Sequence, residues 1–435
     1  MMKTLLIITY YWPPGTGAGV FRWLKFCKYL RQHGWEPVVY TPSNPEVQGT
    51  DHSLERDVPG NMQVLRKEIN EPFRYYKLLT GMPQREKIQP GFLQEDRAPG
   101  LMDKAAIWIR GNLFIPDARR GWIKPSVRFL RRWIRKHPVD AIASTGPPHS
   151  MHLIAMRLKE ALGIPWLADF RDPWTQIDYH HKLMLGPRAE RRHRKLEKAV
   201  LSQADRVLTV STQCARDLEQ IGMRPVEVIT NGFDPDDFGE PMPRDPSVFR
   251  ITHMGAMNAD RNPEVLWQAL SGLLQHEQSL ATRLQLRFIG KVDRSVRTSL
   301  EKHGLHRFAE HLPPMPHQEA LAKAADSAIL LLAINQSPHA SGITTGKLFE
   351  YLPLGRPILC IGPTRGEAAK ILDKSRSGLS IGFQDVDGCK QQLLGWYHQD
   401  LQGKLQLKGQ CISAYDRRRL TAKLALVLSR MLPCS

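Results

Sequence analysis

Four short runs of this sequence hold the residue types that chemistry needs. The densest is SGITTGKLFE, residues 341–350, where small residues and two threonines precede a lysine and a lone glutamate, just after the apolar run SAILLLAI. At a helix start, Gly342, Ile343, Thr344 and Thr345 would offer backbone N–H groups and hydroxyls to an anion such as a diphosphate, and Lys347 would add charge. Glu350 lies one turn on from Lys347, so both can face one ligand. The second run is PPGTGAG, residues 13–19, in which glycines alternate. There Gly17, Ala18 and Gly19 would let the backbone approach a phosphate. The spacing is not GxGxxG, and the next strand ends in YTPS without a ribose-binding acid, which argues against a nicotinamide dinucleotide site.

The third run, STGPPHSMH, places His149 near the start of a helix, with His152 one turn behind it. The fourth, ADFRDPW, sets Arg171 and Asp172 at the carboxyl end of a strand, where charges are costly to bury without purpose. His149, Arg171 and Asp172 are the catalytic candidates, and His149 or Asp172 would be the general base if the chemistry needs one. The DPDD run, Asp234 to Asp237, reads as a turn, and the six cysteines show no CxxC spacing. No metal is expected, and no cofactor.

The elements that must carry these runs follow from hydrophobic patterning. Short apolar stretches alternate with longer amphipathic ones, the pattern of parallel sheets covered by helices. TLLIITY, EPVVYT, DAIASTG, IPWLADF, RVLTVS and VEVIT give a first series of strands; RITHMG, LQLRFIG, EHLPPM, SAILLLAI, RPILCIG and GLSIGF give a second. The expected fold is α/β with two doubly wound Rossmann-like domains facing a central cleft. The boundaries read as 1–236, a Pro/Gly/Asp-rich linker 237–248, a second domain 249–410, and a terminal helical segment 411–435 that packs back at the domain junction. Residues 66 to 115 are interrupted by Pro and Gly and read as an insertion or as a lipid or acceptor contact.

A net charge of +18 attracts nucleotide phosphates, polyanions or anionic lipid. The segment RRGWIKPSVRFLRRWIRKH, Arg119 to His137, has eight Lys or Arg and no acid. On a helix its aromatic and aliphatic residues fall on one half and its basic residues on the other, which suits both packing on a sheet and peripheral contact with an anionic membrane. No apolar run approaches the roughly 20 residues of a membrane span, and the cysteine usage suits a reducing, cytoplasmic setting.

One resemblance draws these readings together. YYWPPGTGAGVFRWLKFCKYLRQHGWEPVVYTP, STGPPHSMHLIA, GIPWLADFRDPW, ADRVLTVS, ITNGFDPDDF and GKLFEYLPLGRPIL occur in the order seen in bacterial GT-B glycosyltransferases, and the chain resembles glycosyltransferase family 4. The resemblance implies a nucleoside diphosphate sugar donor held mostly by the C-terminal domain, an acceptor held mostly by the N-terminal domain, and no required metal. It implies that Glu350 contacts the donor ribose and that basic residues after the second-domain strands, here Arg261 and Lys291, bind phosphate. The sequence departs from the family at three places: Gly342 stands where the first of two glutamates is usual, Ala256-Met257 where an arginine is usual, and Arg171 where many retaining members carry histidine.

The reading is thus a hexosyltransferase-type enzyme, retaining, that is peripheral at the inner face of the cytoplasmic membrane and acts on a lipid-linked saccharide in surface polysaccharide biosynthesis. The rivals are a nucleotide-sugar epimerase or hydrolase of the same fold, a non-catalytic protein, and a basic nucleic-acid-binding protein. The last is disfavoured because aromatic-basic RNA motifs are lacking, and no nucleic-acid partner is expected.

Overall fold

The structure, a computed structural model, describes residues 2–47, 49–69, 101–177, 180–239, 244–407 and 409–432. The first sheet is built from β1 (Lys3–Ile8), β2 (Trp35–Pro42), β3 (Gln63–Lys67), β4 (Ala141–Gly146), β5 (Trp166–Phe170), β6 (Arg206–Thr209) and β7 (Glu227–Val228). All pairs are parallel, in the order β3-β2-β1-β4-β5-β6-β7. The second sheet comprises β8 (Phe249–Met254), β9 (Leu284–Ile289), β10 (Ala309–Leu312), β11 (Ile329–Ala333), β12 (Ile358–Ile361) and β13 (Gly378–Ile381), also parallel, in the order β10-β9-β8-β11-β12-β13. Central parallel strands are covered on both faces, which is why ILLLA of β11 and AIASTG of β4 are buried throughout.

Both sheets reverse direction once. In the first the chain builds outward from β1 to β3 and then returns to β4 on the other side; in the second it does the same from β8 to β10 and returns at β11. The carboxyl ends flanking these reversals are where open α/β sheets take ligands. PPGTGAG and SGITTGKLFE lie in the segments after β1 and β11, and STGPPHSMH and ADFRDPW span the ends of the neighbouring strands β4 and β5.

The chain forms two compact units: residues 1–230 with 417–435, and residues 231–416. These divisions lie a few residues from the 236 and 411 read from the sequence. The DPDD run caps itself, since Asp234 accepts from the Asp236 N–H at 3.1 Å and residues Pro235–Asp237 form a 3-10 turn. Residues 240–243 of the expected linker lie outside the described residues. So do residues 70–100 of the expected insertion; of its described part, Gln63–Lys67 is an edge strand and Leu101–Leu113 a helix.

Helix Arg120–Ile134 commits its apolar half to the first unit's core. Trp122, Ile123, Leu130 and Ile134 are buried, and the Trp122 ring stacks on Tyr40 at 4.8 Å between centroids. Its basic residues Lys124, Arg128, Arg131 and Arg132 are exposed, as are Arg135 and Lys136 just past its end. Helix Arg417–Ser429 completes the core on the opposite face: Leu420, Leu424 and Leu428, spaced by four, are buried with Trp23, Leu24 and Cys27 of helix Ala18–Leu30. Cutting Leu424 to alanine removes a wholly buried side chain. Leu424→Ala should lower the stability of the first unit by about 2–5 kcal/mol in urea unfolding, whereas a loss under about 0.5 kcal/mol would mean that this helix is dispensable to the core.

Candidate functional site

In the first unit, everything at the sheet's reversal hangs on one buried carboxylate. Asp169, the fourth residue of β5, is 0% exposed. It accepts from Arg22 Nε and Nη2 at 3.1 to 3.2 Å, from Trp23 Nε1 at 2.7 Å and from the Thr145 hydroxyl at 3.0 Å. Arg22 Nη1 donates to the Thr230 carbonyl at 3.0 Å, so the guanidinium is held on both sides. A carboxylate and a guanidinium this deeply buried persist because each is paired and hydrogen-bonded.

Arg171 is oriented by the same network. Its Nε donates to Thr145 Oγ1 at 2.9 Å, its Nη2 to the Pro147 carbonyl, and its guanidinium lies over the Tyr11 ring, 5.8 Å from the centroid. Gly19 passes so close that a Cβ there would sit 2.7 Å from Arg171 Nη1 and 2.5 Å from the Tyr11 ring, so its glycine is a packing requirement. Gly17 has φ 119° and ψ 161°, a conformation open essentially to glycine alone, and helix Ala18–Leu30 starts behind it. The structure therefore brings the Gly17 to Gly19 loop and Arg171 together.

His149 sits in the same loop cluster, stacked on Trp174 at 4.5 Å with rings 3° from parallel. Burial first, then the neighbouring His152 and Arg171, hold its pKa well below the usual histidine range. It is a neutral imidazole at pH 7, suited to hydrogen bonding and poorly suited to carrying a proton. Its Nδ1 is buried with no partner among the described residues. His152, pushed down to about 3 by burial, bonds through Nδ1 with Ser144 Oγ at 2.8 Å and is a core residue. Asp172 is exposed, and its charge acts on Cys214 in the first turn of helix Thr212–Gly222, which follows β6.

In the second unit, the reversal between β8 and β11 gathers Lys347, Arg261 and the threonines. Lys347 Nζ donates to the Ala256 carbonyl and to His253 Nε2, both at 3.3 Å. His253 bonds through Nδ1 to the Leu331 carbonyl at 3.1 Å, which leaves Nε2 as the acceptor. The lysine stem lies against Gly255, where φ is 90° and a Cβ would meet Cε at 2.7 Å, so the residue that follows β8 must be glycine. Arg261 Nε donates to Asn335 Oδ1 at 2.5 Å. Burial and the Arg261 charge, opposed by Glu350, pull the Lys347 pKa down to about 7.

The hydroxyls of Thr344 and Thr345 are buried without a hydrogen-bond partner among the described residues. A buried polar group left so costs about 1–3 kcal/mol, which a ligand accepting from it would offset. The N–H groups of Gly342 and Ile343, expected to face an anion, instead close a 3-10 turn onto the carbonyls of His339 and Ala340. The helix that follows is one short piece, Gly346–Tyr351, so charge and hydroxyls outweigh its dipole here. Glu350 Oε1 pairs with His317 Nε2 at 3.1 Å. Lys291 is exposed beyond β9. An open depression beside this cluster is bordered by Gln336, Phe383, Gln384 and Asp385.

Sequence reasoning passed over Arg22, Thr145, His253, Asn335 and His317. Arg22 had a signal: a charge amid GVFRWLKF, on a face that must be buried if the helix covers a sheet. His253 and Asn335 had none, because their roles depend on neighbours from other strands.

Residues 89–237 match Glycosyltransferase Family 4. No curated protein sequence matches the chain. Among solved structures, the chain is similar to sucrose-phosphate synthase from Thermosynechococcus elongatus, at 13% identity and a TM-score of 0.60 over 99% of this chain and 98% of that one. It is similar to S. aureus TarM in complex with fondaparinux, alpha-GlcNAc-glycerol and UDP, at 9% identity and TM-score 0.59, over 99% of each chain. It is also similar to WaaG, a glycosyltransferase involved in lipopolysaccharide biosynthesis, at 12% identity and TM-score 0.54, over 98% of this chain and 99% of that one. The protein therefore has the two-domain, glycosyltransferase-type GT-B fold. Of the six ordered motifs read above as resembling glycosyltransferase family 4, the four between residues 144 and 238 coincide with the matched stretch, while those at residues 10–42 and 346–359 lie outside it.

Two outcomes follow from the buried charges. Asp169→Asn strands the Arg22 guanidinium, and the first unit should lose about 3–5 kcal/mol in denaturant unfolding; a loss below about 1 kcal/mol would show the network to be dispensable. For Lys347, the folded state binds fewer protons than the unfolded chain between its pKa of about 7 and the ordinary value of 10.5. Stability from this group therefore rises with pH across that window. The stabilisation of Lys347→Met over the native protein, read from urea midpoints, should be largest at and below pH 7 and shrink toward pH 10; a gap that does not change with pH contradicts the burial of this charge.

Proposed function

We propose that the protein is a glycosyltransferase that takes its sugar from a nucleoside diphosphate sugar held by the second unit. The observation that carries this is the meeting of Lys347, Arg261 and the unpartnered Thr344 and Thr345 hydroxyls at the sheet's reversal. Two cations and two donor hydroxyls suit the charge that grows on a departing diphosphate. Glu350, held by His317, is the ribose contact of this reading, and Lys291 is an outer phosphate contact. The sugar is recognised without the carboxylate that Gly342 replaces in the family pattern.

The acceptor is a lipid-linked saccharide of a surface polysaccharide, taken by the first unit at the loops of Gly17, Ala18 and Gly19, His149 and Arg171. Transfer proceeds with retention: the bond from C1 to the diphosphate oxygen breaks, the acceptor oxygen bonds to C1 on the same face, and the acceptor proton passes to the leaving phosphate. No protein nucleophile and no metal is called for. Burial holds the pKa of His149 well below the usual histidine range, which makes it a weak proton acceptor and favours this route over one with a histidine base. The exposed basic row of helix Arg120–Ile134 draws the enzyme to an anionic membrane surface at the cytoplasmic face. Among the described residues no helix is long and apolar enough to cross a membrane.

Since one fold hosts several chemistries, binding and product analysis decide. In a panel of UDP-, GDP- and dTDP-sugars, the cognate donor should stabilise the folded protein, by about 2.7 kcal/mol at a hundredfold excess over Kd. Lys347→Ala and Glu350→Ala should each diminish that effect, and an undiminished effect would place the donor elsewhere. Consumption of donor without acceptor would favour an epimerase or hydrolase, and an inverted anomer by NMR would overturn retention.

A further inference from the structure

Helix Arg120–Ile134 can attract an anionic membrane but cannot anchor in it, because Trp122, Ile123, Leu130 and Ile134 are already spent on the core. Charge alone gives a weak, salt-sensitive association. An anchor needs apolar side chains that remain outside. They occur one element upstream: on helix Leu101–Leu113, Trp108 is 47% exposed, Ile109 42% and Leu113 53%, and Met184 is 47% exposed.

These four residues share one place on the first unit. Asn112 ties them together, its Nδ2 donating to the Trp108 carbonyl at 2.8 Å and to the Met184 carbonyl at 3.1 Å, while its Oδ1 accepts from the Gly186 N–H at 2.7 Å. Gly111 lets the helix close on this loop, since a Cβ there would lie 2.6 Å from the Leu183 carbonyl oxygen. The apolar side chains are thus mounted on a fixed platform.

The surroundings are basic. Arg120 reaches back to the Leu113 carbonyl. Helix Pro187–Gln203 begins just after Gly186 and exposes Arg188, Arg191, Arg192 and Lys195, which are spaced as one stripe, while Ala189, His193, Glu197 and Val200 face inward. Glu190, the acid of its first turn, is held by His180 and Arg194. An exposed tryptophan with aliphatic neighbours, rimmed by arginines, has the chemistry of a segment that sits in the headgroup region of an anionic bilayer.

We infer that Trp108, Ile109, Leu113 and Met184 form the membrane anchor of this protein, entering the headgroup layer of an anionic bilayer while the Arg188 to Lys195 stripe and Arg120 bind its phosphates. This deepens the proposed contact with the membrane and rests on that part of the proposed function, not on the transfer reaction.

The test is cosedimentation of the full chain with vesicles of phosphatidylcholine containing about a third phosphatidylglycerol, compared with phosphatidylcholine alone. The native protein should prefer the anionic vesicles. Trp108→Ser combined with Leu113→Ser should weaken binding about tenfold or more, and brominated lipid should quench native fluorescence more than that of Trp108→Phe. Both side chains are half exposed, so the double variant should fold, which its thermal midpoint and its donor binding check. Binding within about twofold of native by the folded double variant would overturn the anchor. So would loss of binding only when Lys124, Arg128 and Arg131 are reversed in charge, or a dimer in solution that the double variant dissolves. A protein that binds vesicles through this patch but no nucleotide sugar would sink the transfer reading and leave the anchor standing; donor binding without vesicle binding would do the reverse.

Discussion

A single buried carboxylate sets the geometry of the first unit. Asp169 closes a circuit through Arg22, Trp23 and Thr145, and through Thr145 it fixes Arg171. Neutralising it would leave a buried guanidinium facing the Thr230 carbonyl and the Phe26 ring, without its counter-charge. The Gly-rich loop, the turn after β4 and the end of β5 are therefore not independent loops that happen to meet. They are held to a common anchor, and Gly19 passes closely by the Arg171 that this anchor orients.

The second unit meets its electrostatic demand differently. Here Lys347 comes in from the helix side to lie against Gly255, beside the Arg261 guanidinium. Two like charges brought together beside unsatisfied hydroxyls carry a cost, which the charge of Glu350, itself engaged by His317, opposes in part. Such an arrangement makes sense when the missing negative charge arrives with the ligand.

Much of this was legible in the sequence, for identifiable reasons. Parallel strands buried on both faces read as continuous apolar runs, so SAILLLAI and RPILCIG could be placed without ambiguity. β3 could not, because QVLRK is an edge strand with half-exposed side chains and no apolar run. Lys347 and Glu350 could be paired by their helical spacing, but the turn that uses up the Gly342 and Ile343 N–H groups could not be foreseen. The basic helix was visible as two faces, yet its sequence could not say that the apolar face was already taken by Tyr40 and the sheet behind it. Contacts made across strands, such as His253 with Lys347, leave no periodic trace at all.

The terminal helix has a consequence for how the protein is made. Because residues 417–429 complete the core that begins at residue 3, the whole second unit is threaded between two pieces of the first. During synthesis the first unit must wait, with the Trp23, Leu24 and Cys27 side of its opening helix uncovered, while some 186 residues of the second unit are added. The inserted unit has no such dependence and can fold as soon as it emerges, so the domain encoded later is free to be finished earlier.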